Sequence, residues 1–234
     1  MNRMTRLVLS GLSVYLAVGL AALGAVCPRL AHASGNARVE RTYPWHSDSL
    51  VLAVPADVQY HPGTTWRLTI SAPPRTLREL VVSHGRIGAK PHSCFSLIPF
   101  CISFGTGVED TVHVDLTGPA LRVIDVAGSA NIQLDQLHQD RLVLTINGSA
   151  AVHGTGNVND LSVVIHGAGN VHLGQLSVQR ARVRIEGSGN VAIAPTDSVS
   201  VRIEGAGKVR LHSNPAHVST QIEGAGSVSR VPAG

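Results

Sequence analysis

Aromatic residues are scarce in this 234-residue chain: Phe, Trp and Tyr make up 3% of it, and neither Trp nor Tyr occurs after Trp66. A basic stripe with interleaved aromatics, the usual footprint of a nucleic-acid binder, is therefore excluded. The stacking platforms that line most sugar clefts are missing from the C-terminal half. The core has to be built from Val, Ile, Leu and Ala, which with 24 glycines points to short β-segments joined by tight turns. Catalytic signatures are missing too. No GxSxG, HExxH or CxxC motif and no Cys/His nucleophile pattern is present, so an enzyme is not expected and no cofactor is required. Nucleotide motifs fail on spacing: GxGxxG is absent, and Gly207-Lys208 is followed by Val209 rather than Ser or Thr.

Cysteine is sparse, with three residues, and their reading depends on the N-terminus. Arg3 and Arg6 precede an apolar run from Leu7 to Val26, followed by Pro28, Arg29 and Ala31-His32-Ala33. This is the pattern of a secretory signal with a small-x-small cleavage site, assigned here to residues 1–33. The run is also long enough for an uncleaved membrane anchor, the only route by which membrane contact is expected. Cys27 lacks the flanking residues of a lipoprotein signal. Removing residues 1–33 takes away three arginines and no acid, so the formal charge falls from +4 to +1. Cys94 and Cys101, in "CFSLIPFC", remain in the exported chain. In an oxidising compartment two such thiols are expected to pair as a disulfide.

What the chain does have is a repeat. Gly128, Gly148, Gly167, Gly187, Gly205 and Gly224 are spaced by 20, 19, 20, 18 and 19 residues. Two residues before each glycine stand Val126, Ile146, Ile165, Ile185, Ile203 and Ile222. Four before stand Ile124, Leu144, Val163, Val183, Val201 and Thr220, and four after stand Ile132, Val152, Val171, Val191, Val209 and Val228. Apolar residues at a period of two on both sides of a small-residue turn predict strand, turn, strand. One unit cannot bury its own apolar face, but units stacked about 4.8 Å apart join these columns into a single core. The prediction is an all-β, single-chain parallel β-solenoid over residues 121–234, right-handed by the general preference of parallel crossovers.

Residues 34–120 carry strand-like runs at 49–54, 65–71 and 79–85, punctuated by "HPG" and "APPR", and "TVHVDLTG" at 111–118 repeats the solenoid rhythm. This β-rich region, with the Cys94–Cys101 loop, is assigned to capping the solenoid's open end.

The outward columns hold the candidate site residues. Glu186, Glu204 and Glu223 directly precede glycines, and Arg184 and Arg202 stand two residues before Glu186 and Glu204, so all five share one face. The plain reading is a solubilising Arg/Glu ladder; the functional one is a surface that holds sugar or a cation. Paired carboxylates could also hydrolyse a glycoside, but any regular ladder places acids one strand spacing apart. Asn131, Asn170 and Asn190 form a column read as structural. His153 and His172 form another, with Arg210 further along, and two histidines make a poor metal site.

The turns "GSANI", "GAGNV", "GSGNV" and "GAGKV", with the upstream "LVLAVPADVQYHPGTTWRLTI", resemble the head GIN domain family of auto-transporter adhesins over roughly residues 46 to 230. The turn "GSAA" at 148–151, where Asn is missing, departs from the pattern. The resemblance implies a β-solenoid head with an adhesin-like role at the bacterial envelope and supplies no catalytic residues. The expectation is an exported, non-enzymatic protein of periplasm or cell surface whose partner is a carbohydrate or another envelope component. A carbohydrate-active β-helix enzyme is the alternative.

Overall fold

The computed structural model describes residues 38–90, 108 and 110–231. The expected signal segment and the Cys94–Cys101 pair lie outside these residues. In chain order the elements are β1 (Val39–Tyr43), β2 (Ser49–Leu52), β3 (Ala56–Pro62), β4 (Arg67–Ala72), α1 (Pro74–Glu79), β5 (Leu80–Ser83), β6 (Arg86–Ala89), β7 (Val112–Gly118) and β8 (Val123–Val126). Then follow β9 (Ser129–Ile146), β10 (Ser149–Ile165), β11 (Ala168–Gly205), β12 (Lys208–Leu211), β13 (His217–Gly224) and β14 (Ser227–Arg230).

From β8 onward the chain winds as a parallel β-solenoid of about five turns. Pairing follows the repeat: Val126 lies beside Ile146, Ile146 beside Ile165, Ile165 beside Ile185, and Ile203 beside Ile222. The columns read from the sequence point inward and are almost fully buried from Ile124 through Ile203 and Leu211. Each such side chain contributes about 1.5–3 kcal/mol relative to exposure, so the stacked columns are the main stabilising term. Leu137, Leu176 and Leu142 close the third side of the core, past a corner where Gln136 takes a φ of 49° and Gly156 one of 112°.

The repeating glycines are explained by close approach of successive rungs. A Cβ on Gly148 would lie 2.1 Å from the Gly128 carbonyl oxygen, and one on Gly167 2.2 Å from that of Gly148. Those carbonyls accept hydrogen bonds from the amides of Ser149 and Ala168, both at 3.0 Å. The corner thus brings backbone onto backbone and leaves no room for a side chain. From Gly187 on the backbone itself demands glycine, with φ of 142°, 135° and 122° at Gly187, Gly205 and Gly224.

The parallel ladder extends upstream of residue 121. β2 pairs with β8, placing Leu50 and Leu52 beside Ile124 and Val126, and β3 pairs with β9, placing Val58 beside Ile132. This rung has Val54 and Pro55 at its corner instead of glycine. β7 continues the ladder beyond β3, and then direction reverses: β4 runs antiparallel to β7 and β1 antiparallel to β4. The run "ELVVSHG" splits between the end of α1 and β5. α1 starts on Pro74, whose fixed φ suits a first helical turn, so "APPR" opens a short helix rather than a loop. His84 and Gly85, with φ of 45° and 80°, form the two-residue turn between β5 and β6.

Candidate functional site: two outward walls

The residues before each glycine form one outward wall, and those after it form another. On the first wall polar side chains are joined rung to rung. Asn147 donates to Asp125 at 2.9 Å, the Asn147 side-chain oxygen meets His166 Nδ1 at 2.9 Å, and His166 Nε2 lies 3.6 Å from Glu186. Glu186 accepts from Arg184, which also reaches Glu204 at 3.5 Å. Glu204 accepts from Arg202, which reaches Glu223 at 3.5 Å. The structure therefore brings all five predicted ladder residues into one chain of ion pairs. The Arg202 hydrogen bond, with the charges of Arg202 and Arg184, holds the Glu204 carboxyl below the usual carboxylate range. Arg180 does the same to Asp160 one turn away. Each pair is solvent-exposed and screened by water, so it adds little to stability.

The second wall is built differently. From Gly148 to the C-terminus the only acids are Asp160, Glu186, Asp197, Glu204 and Glu223, all of which lie off this wall. His153 and His172 sit on adjacent rungs with rings stacked, centroids 4.9 Å apart and planes 11° from parallel. His212, unrecognised in the sequence, joins them because Gly174 has no side chain: a Cβ there would lie 3.0 Å from the His212 ring. The three histidines, with Gln133, Gln175 and Ala192, line a shallow hollow of about 480 Å³. Lys208 and Arg210 stand at its border beside His172 and Asn190. The asparagine column is a true ladder only in part. Asn190 donates to Asn170 at 3.0 Å, whereas Asn131 donates to Asp57 at 2.8 Å.

From Gly148 onward the second wall carries an excess of hydrogen-bond donors, suited to a ligand with acceptor oxygens or negative charge. Among the described residues no group of three or more His, Cys, Asp or Glu side chains could hold a metal ion. Column counting passes over His212 because no other rung places a histidine at that position.

A stacked parallel core with two chemically distinct outer walls defines a solenoid head. The chain belongs to the family described as "Putative auto-transporter adhesin, head GIN domain", which matches residues 48–215. A solved adhesin-described protein of Bacteroides fragilis shares the fold at a TM-score of 0.59 and 15% identity, the match covering 83% of this chain and 97% of that one. A protein of Parabacteroides distasonis described as lipid-binding aligns at a TM-score of 0.45 and 16% identity, covering 85% of this chain and 98% of that one. No curated protein matches the chain.

Proposed function

We propose that this is an exported, non-enzymatic head module of the bacterial envelope, and that its second wall binds an acidic polysaccharide. Residues 1–33 direct export in this reading, residues 34–120 close one end of the solenoid while adding a rung to it, and residues 121–234 present the binding surface. Family membership supports an adhesin-like role. One observation carries the choice of ligand: from Gly148 onward the wall bearing His153, His172, Lys208, Arg210 and His212 has no carboxylate, while the acids of these rungs lie on the other faces.

The first wall supports the non-enzymatic reading. Glycoside hydrolysis needs one carboxyl with a raised pKa to act as acid, whereas Glu204 is shifted down by Arg202. Glu186, Glu204 and Glu223 already have arginine partners. A carboxylate occupied in this way is a structural acceptor.

The test passes the purified protein over immobilised alginate, dextran sulfate and uncharged dextran, following retention and released sugar. Retention on the two acidic polymers, weakened by salt and by Lys208→Gln with Arg210→Gln but not by Arg184→Gln, is expected. Release of sugar products abolished by Glu204→Gln would replace this reading with that of a carbohydrate-active enzyme. Retention indifferent to Lys208 and Arg210 would remove the wall from it.

A further inference from the structure

Among the described residues the last rung of the solenoid is open. β13 pairs on one side with β11, and among the described residues no strand pairs with its other edge. All eight of its residues are exposed. Its inward column continues the core: Val218, Thr220 and Ile222 stand over Val199, Val201 and Ile203, which are at most 3% exposed, yet Val218 and Ile222 are 38% and 41% exposed. A strand with apolar side chains and free backbone groups on one edge is a template for another strand. Solvent-facing edges are usually blunted by Lys or Pro, and "HVSTQIEG" contains neither.

We propose that β13 is a dimer interface in which a second copy of this chain adds its own β13 in antiparallel register, centred on Thr220. The strand is complementary to itself. With Thr220 opposite Thr220 of the second copy, Val218 faces Ile222, Ser219 faces Gln221, and His217 faces Glu223, each pair occurring twice. The apolar pairs lie on the inward face and the charged pairs on the outward face, as the strand's alternation requires. Aligning β13 one residue out of this register would set core-facing side chains against solvent-facing ones. Glu223 already accepts from Gln221 at 2.9 Å and lies 3.5 Å from Arg202, so His217 of the second copy would complete an existing polar cluster.

The opposite end of the solenoid does not offer the same edge. There β4 runs antiparallel to the ladder and β1 antiparallel to β4, and the outermost strand, β1, is the largely exposed "VERTY", with charges at Glu40 and Arg41. Tail-to-tail pairing is thus closed by a two-fold axis and gives a dimer rather than a filament. The resulting particle would carry two copies of the polysaccharide-binding wall, although the dimer does not depend on that assignment.

Sedimentation of the purified protein over a range of concentrations is the first measurement. A species of twice the monomer mass is expected, and Ile222→Lys, which puts an ammonium into each apolar pair, is expected to reduce it to monomer with unchanged circular dichroism. Thr220→Cys is the second arm and does not depend on how that variant folds. Oxidation should yield a covalent dimer from Thr220→Cys, whereas Ser219→Cys, facing Gln221, and the wild-type protein stay uncrosslinked. A wild-type monomer overturns the proposal; if its β13 amides are also protected from hydrogen exchange, another stretch of the same chain occupies the edge. Crosslinking of Ser219→Cys as readily as Thr220→Cys, or a dimer untouched by Ile222→Lys, overturns the register and the interface respectively.

Discussion

Alanine substitution along the glycine column should give a graded series whose two ends have opposite sign. At Gly128 an added Cβ would sit 3.6 Å from the Val54 backbone, an ordinary contact, and φ there is not in the left-handed region. Gly128→Ala should therefore stabilise by about 0.4–1 kcal/mol through the lower entropy of the unfolded chain. At Gly167 the Cβ would lie 2.2 Å from the Gly148 carbonyl oxygen, so the rungs must part and the 3.0 Å hydrogen bond from Ala168 is weakened or lost. A hydrogen bond of this kind contributes about 0.5–1.5 kcal/mol. Gly187 adds a second penalty: its Cβ meets the Gly167 oxygen at 2.6 Å, and its φ of 142° costs an alanine about 1–3 kcal/mol more. The predicted order of stability is Gly128→Ala, wild type, Gly167→Ala, Gly187→Ala, spanning roughly 2–6 kcal/mol on those figures. Urea unfolding followed by far-ultraviolet circular dichroism measures it. If Gly128→Ala and Gly187→Ala shift the midpoint alike, the close-approach explanation of the repeat is refuted.

Other outcomes follow from single contacts. Gly118→Ala would drive a Cβ to 1.9 Å from the Trp66 ring, so that half-buried ring must swing off the core it packs against, and its fluorescence should move to the red with a stability loss of at least about 2 kcal/mol. Asp160 and Glu204 have pKa values lowered chiefly by hydrogen bonds from Arg180 and Arg202, so their contribution is present above the ordinary values of 3.8 and 4.5 and disappears as pH falls below them. Asp160→Asn with Glu204→Gln should flatten the acid limb of a stability profile, and an unchanged limb would contradict this. Tyr60 is shifted above its ordinary 10.0 by burial, so its contribution is intact below that pH and lost above it; Tyr60→Phe should flatten the alkaline limb. The same variant should cost about 1 kcal/mol at neutral pH, because the hydroxyl donates to the Gly118 carbonyl at 2.8 Å. Non-reducing mass spectrometry of the exported protein should find Cys94 joined to Cys101, and free thiols at both would rule the disulfide out.

What the sequence reveals and what it hides separate along a physical line. A constraint acting on every rung is written once per rung, so the apolar columns and the corner glycines stand out as periods. The rung formed by β2 and β3 obeys the same core alternation, with Leu50, Leu52 and Val58 in phase, but Val54 stands at its corner where the later rungs have glycine. An alignment anchored on glycine passes over it. α1 was hidden because the same Pro-Pro pair can end a strand or open a helix.

Site chemistry behaves in the opposite way, because it depends on residues that break the period. His212 becomes part of the histidine hollow only through the missing side chain at Gly174, more than thirty residues earlier in the chain. The Arg/Glu ladder, which does repeat, was legible as a face; its internal pairing emerged only when Arg184 and Arg202 were seen to bridge successive glutamates. Repetition in a solenoid thus marks what holds rungs together, and binding is better sought where a column changes character. β13 is a special case: Val218 and Ile222 keep the apolar rhythm of a covered rung with no rung above them among the described residues. A column maintained past the last turn has a physical reason only if something covers it, and antiparallel pairing of two such strands covers each with the other's own apolar residues.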